Sequence, residues 1–203
     1  MGTDIHLAAE YYQEDRWHLA HIELPCYRNY RAFAILVDVR NGYTFAGFDT
    51  GDPVIPISCP RGLPDDMSEE LRALLNNEDE EDEEDDWQLD QEDLTSILDE
   101  EEQHHLWLGD HSFSWVTLQE LLDYDLDQPV SLRGMVSPEA ARLWHENREP
   151  PAVVAGYSSQ PDWVHLEWTR PLRESASLIS ELIDALTPLG DPPHVRLVFG
   201  FDN

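Results

Sequence analysis

Residues 28–64 read RNYRAFAILVDVRNGYTFAGFDTGDPVIPISCPRGLP, and the passage of this stretch from helix to long loop decides the architecture. Ala32, Ile35, Leu36 and Val39 recur at helical spacing, and Asn41-Gly42 offers the left-handed stop that ends a helix. From Gly47 to Pro64 the chain strings together glycines, prolines, Asp49, Asp52 and Arg61. That is too polar for a strand and too long for an ordinary connection, which marks a binding loop.

On the N-terminal side, Asp4 to Leu24 alternates as a β-hairpin, with Gln13-Glu14-Asp15 at the turn. Side chains two apart on a strand project the same way, so Asp4 and His6 share a face and are candidate ligands for one metal ion. On the C-terminal side, Ser68 caps a helix over Glu69 to Asn76, with two acids in its first turn. Composition then changes abruptly. Residues 77–103 read as a disordered, acidic, low-complexity insertion in which Leu94, Ile97 and Leu98 have the spacing to dock on a partner.

Order resumes with HHLWLGDHSFSWVTLQELLDYD from His104. Thr117 and Glu120 have capping-box spacing, so an extended segment at 112–116 leads into a helix over 118–124. Asp110, His111, Ser112 and Ser114 therefore stand just ahead of a helix, where Asp110 and His111 can handle protons and the two serines can bond a phosphate. Val130 to Val136 reads as a strand, and Ser137-Pro138 opens a helix through Glu146. The strand 163–168, helix 172–186 and strand 195–201 have the spacing of a right-handed crossover between parallel strands. The sum is an α+β fold: a mixed β-sheet with several short helices in one domain over residues 1–203, interrupted at 77–103.

With 43 acidic residues against 12 cations, all of them arginine, the net charge is −31. Sixteen acids fall between Glu78 and Glu102, yet the rest of the chain is also strongly negative. Such a field repels nucleic acid phosphates, making direct DNA or RNA binding an unfavoured function. No apolar run has the length of a membrane span, and the N-terminus lacks signal-peptide character, so a cytoplasmic location is expected. Cys26 and Cys59 are too few for a disulfide framework and are expected as thiols.

The opening MGTDIH, the block RNYRAFAILVDVRNGYTFAGFDTGD with PRGLP after it, DHSFSW followed by TLQELLDYD, and the terminal VRLVFGFDN together resemble an uncharacterised family of phage and prophage accessory proteins. The resemblance omits the acidic tract. It implies a role in the cytoplasm of a host cell. It also implies that Asp4, His6, Arg28, Asn29, Asp38, Asn41, Asp49, Asp52, Arg61, Asp110, His111, Ser112, Ser114, Asp125 and Asp202 are the family-like polar positions. Gly200 stands where that pattern leads one to expect a bulkier residue.

Two readings of function follow. The first is a polar pocket for a nucleotide-like or other phosphorylated ligand, extending to a metal-dependent hydrolase. Arg28, Asn29, Arg31, Asp49, Asp52, Arg61, Ser112 and Ser114 bind the ligand, Asp4 and His6 hold a divalent ion, and Asp110 and His111 are catalytic. It requires the hairpin, the central loop and the Asp-His-Ser turn to converge. The second is a non-catalytic acidic interaction protein, an inhibitor or nucleic-acid mimic, that binds a basic host or phage partner.

Overall fold

The computed structural model describes residues 2–44, 46–76, 106–152, 154–155 and 160–203. The acidic insertion, with Leu94, Ile97 and Leu98, lies outside the described residues.

Strands β1 (Asp4–Gln13) and β2 (Arg16–Leu19) form the expected hairpin, paired from Gln13↔Arg16 to Glu10↔Leu19. Its two turn residues, Glu14 and Asp15, have φ of 52° and 60°, the doubly left-handed turn whose twist matches a two-residue hairpin. Helix α1 (Tyr30–Val37) begins at Asn29, whose side chain accepts from Ala32 N, and α2 (Glu69–Asn76) begins at Ser68, whose hydroxyl accepts from Leu71 N. Strand β3 (His111–Thr117) runs into α3 (Leu118–Asp123) through the Thr117–Glu120 capping box, formed in both directions. Strand β4 (Pro129–Val136) leads through the Ser137 cap into α4 (Pro138–Asn147), and β5 (Val164–Pro171) returns antiparallel to β4. A short 3-10 turn then leads into α5 (Ser177–Leu186) and β6 (Val195–Asp202).

The strands make two sheets, β2-β1-β6-β3 and β4-β5, with every named pair antiparallel. This corrects the expected parallel crossover: β5 and β6 flank α5 but belong to different sheets. The end of α1 is corrected too. Asp38 adopts φ 67° and closes the helix, so Val39 lies beyond it, and Asn41 instead bridges Val54 N and Val54 O through its side-chain amide.

The main core lies between the two sheets and includes α1, α3 and α5, so one apolar cluster holds a single α+β domain together. Residues 31–37 of α1 are all buried, as expected for a helix enclosed on every side. On the opposite face of the four-stranded sheet, Ala8, Leu19, Leu71, Leu108 and Val198 form a second apolar cluster under α2. Strand β6 is therefore covered on both faces, and Val195 through Phe201 are all buried. Gly200 is explained by this covering. A Cβ there would sit 2.1 Å from Leu108 O and 2.7 Å from the Phe113 ring, so a bulkier residue does not fit.

Among the described residues, no helix is long and apolar enough to cross a membrane.

Candidate functional site

Asp4 pairs with Asp202 and His6 with Gly200 along β1 and β6, while His111 of β3 pairs with Phe201 on the other side of β6. The start of the hairpin and the Asp-His-Ser turn thus meet at one end of the sheet. They present opposite faces: by strand alternation Asp4, His6 and Asp202 lie on one side, and His111 lies with Ile5 and Phe201 on the other.

On the first face, Arg28 grips Asp4 in a two-pronged bond, Nε to Oδ1 at 3.0 Å and Nη2 to Oδ2 at 2.6 Å. The bond from Arg28 holds the Asp4 carboxyl below the ordinary aspartate value, and the same bond raises Arg28. His6 Nε2 lies 3.3 Å from Asp202 Oδ2 without hydrogen-bond alignment, and its ring packs at 4.5 Å from Trp107.

On the second face, Asn203 Oδ1 accepts from Thr3 Oγ1 at 2.9 Å and from Arg40 Nη2 at 3.3 Å. Two donors on Oδ1 fix the amide, so Nδ2 is the atom that lies 2.7 Å from His111 Nε2 and donates to it. The His111 proton then resides on Nδ1 and is donated to Ser112 Oγ at 2.9 Å. Ser112 is an acceptor in this arrangement, the opposite of an activated nucleophile. Its φ of 54° coincides with a register shift between His111 and Ser114. Asp110 is exposed, and its backbone N–H donates to Phe201 O at 2.7 Å.

The central loop supplies scaffolding contacts. Asp49 and Asp52 both bond Arg133 of β4, and Arg31 Nη1 donates to Asp52 O at 2.7 Å. Burial pushes the Arg31 guanidinium down, with Asp52 opposing it. Gly51 has φ 138° and passes so close to β4 that a Cβ would meet Ser131 O at 2.2 Å, a position only glycine can fill. Arg61 lies over the Trp115 ring at 4.8 Å and bonds both oxygens of Glu120, while Ser114 Oγ, fully buried, accepts from Arg61 N at 3.2 Å. Asn29 is the cap of α1. The residues expected to surround one ligand therefore divide between the sheet end, the β3 edge around Arg61, and β4 around Arg133. Among the described residues, no group of three or more His, Cys, Asp or Glu is placed to hold a metal ion.

A groove of 570 Å³ beside the hairpin is lined by Tyr12, Asp15, Arg16, Trp17 and His18 from the hairpin and by Asp66 to Glu70 from the start of α2. Beneath it Arg196 and Glu10, both buried, form an ion pair at 2.8 Å. Arg196 also donates to Asp66 Oδ1 at 2.7 Å and lies 3.8 Å from the centroid of the Trp17 ring. Trp17 Nε1 bonds the second Asp66 oxygen. Burial works to raise the Asp66 carboxyl, and the bonds from Arg196 and Trp17 outweigh it, leaving it below the ordinary value. The sequence signal for this assembly is a single arginine inside the apolar run VRLVFGF.

No family model, curated protein or solved structure matches the chain.

Proposed function

We propose that this is a non-catalytic acidic interaction protein that engages a basic segment of a partner protein through the groove between the β1–β2 hairpin and the start of α2. The observation that carries the reading is the disposition of charge. All cations of this −31 chain are arginines, and the three best placed for a phosphate are occupied: Arg28 by Asp4, Arg61 by Glu120, and Arg31 by the Asp52 carbonyl. A phosphorylated ligand would have to displace a carboxylate from Arg28 or Arg61 and leave it unpaired in an already negative field, or displace the Asp52 carbonyl from Arg31. The groove is the converse in its charge, with Asp15, Glu69 and Glu70 beside Tyr12 and Trp17, Glu70 also lying 2.8 Å from His21 Nε2, and Arg16 as its one cation. Carboxylates next to aromatic rings suit arginine, which bonds the former and stacks on the latter. The resemblance to phage accessory proteins extends the proposal to a host or phage protein as partner.

The test uses nona-arginine as probe, with Asp15→Asn, Glu69→Gln and Glu70→Gln combined in one variant. A second variant neutralises Glu149, Asp162 and Asp184 to equalise net charge. The groove variant should bind about tenfold more weakly than the control variant, from three lost contacts of a few tenths to 1 kcal/mol each. Equal weakening in both variants would reduce the interaction to bulk charge. Saturable binding of inorganic phosphate or ATP by the full chain would restore the phosphorylated-ligand reading in its place.

A further inference from the structure

The loop and helices treat the strand edges unequally. Arg61 N donates to Ser114 Oγ and Gly62 N to Phe113 O along β3, and β2 is only four residues long. The outer edge of β4 is taken by other chain: Asp52 N donates to Ser131 O, Arg133 N to Thr50 O, and Met135 and Ala155 exchange both bonds. These bonds set the phase of the ladder. Ser131, Arg133 and Met135 face away from β5, so their partners Thr169, Glu167 and His165 face away from β4. Among the described residues, no hydrogen bond reaches the backbone N–H or C=O of those three, and Pro171 closes the row. Among the described residues, an eight-residue strand thus carries an open edge, the arrangement to which another extended chain adds.

We propose that β5 takes up an extended segment of the basic partner along this edge, a strand in which basic residues alternate with apolar ones. The inference rests on the basic-partner reading above and adds a second contact, made through the backbone. The alternation follows from the two faces of β5. Leu166 and Trp168 are buried on one side, so partner residues projecting that way extend an apolar layer. On the other side, Glu167 accepts from Ser131 Oγ and is the cross-strand partner of Arg133, whose guanidinium is taken by Asp49 and Asp52, so the excess of carboxylates calls for arginine or lysine opposite. A second copy of this chain is the poorer occupant, because antiparallel pairing centred on Glu167 sets the two Glu167 side chains against each other.

The experiment adds a decapeptide of alternating arginine and valine to the full chain and follows amide hydrogen exchange residue by residue. The exchange of the His165, Glu167 and Thr169 amides should slow at least tenfold. The same peptide N-methylated at every second residue should give no such protection in the register where its N–H groups are lost. Glu167→Pro, which removes one outward N–H and spares the ladder to β4, should abolish it as well. If the peptide binds while these amides exchange freely, or if N-methylation changes nothing, the edge proposal falls and the groove reading stands. Failure of the peptide to bind at all would remove both. Protection that rises with the concentration of the chain alone would identify self-pairing and overturn the assignment to a foreign strand.

Discussion

Glu10 and Arg196 sit directly opposite each other on β1 and β6 and form an ion pair at 2.8 Å with side chains 0% and 2% exposed. Ser68 N donates to the remaining Glu10 oxygen at 2.7 Å, so the pair ties the hairpin, β6 and the entry to α2 together.

Removing one partner strands the other charge in the interior. Arg196→Met or Glu10→Leu alone should cost about 3–5 kcal/mol, whereas the two changes together should recover much of that loss. Urea unfolding of the two single variants and the double variant measures the coupling. Additive losses would show that the charges do not depend on each other.

Glu120 and Asp66 supply an acid-sensitive share of stability. Burial works to raise the Glu120 carboxyl, but the bonds from Arg61 and Thr117 more than offset it and the carboxyl is lowered. A group depressed in the folded state stabilises above its unfolded value, about 4, and that stability is lost as pH falls through the folded value. Urea midpoints should hold between pH 7 and 5 and drop below about 4. Arg61→Leu should flatten that drop. An unchanged slope in the variant would show that Arg61 does not stabilise the ionised carboxylate.

Thr117→Ala removes the hydroxyl that accepts from Glu120 N and should cost about 1 kcal/mol, with Thr117→Ser retaining most of it. Thermal denaturation of both variants distinguishes the cap from the loss of a methyl group.

Gly200→Ala forces a methyl against the Leu108 carbonyl and should cost about 3 kcal/mol. A neutral result by chemical denaturation would mean that the Leu108–Gly109 turn can withdraw without penalty.

Nitrogen-15 NMR of the imidazoles should find His111 protonated at Nδ1 and accepting at Nε2. The opposite tautomer would require the Asn203 amide to be reversed, at the expense of its bonds from Thr3 and Arg40.

Local chemistry was legible in the sequence wherever the partners were near in the chain. The Thr117–Glu120 box, the Ser68 and Ser137 caps and the turn before Arg16 all formed where spacing placed them. Pairing between distant segments was not legible. A strand, a helix and a strand look the same whether the strands join one sheet or two, because periodicity records which face is buried and not against what. Asn41 resembled a helix stop because its type suits one, and only the path of the loop reveals that it bridges Val54. Of the site, Asp4, His6 and His111 were visible as chemistry. Their common position at the end of β6 depends on register across nearly the whole chain, and Asn203, Thr3 and Arg40 had no local signal to join them.

Of the two inner strands of the larger sheet, β1 is made first and β6 after every other named strand. Translation adds about 5–20 residues per second, so roughly 10–40 s separate the emergence of β1 from that of β6. Through that interval β1 has one neighbour, the short β2, and its other edge awaits a strand some 190 residues downstream. The nascent chain must keep that edge from foreign contacts until β6 has emerged, and closure of so long a loop makes the docking of β6 the slow, topology-limited event in assembling the sheet.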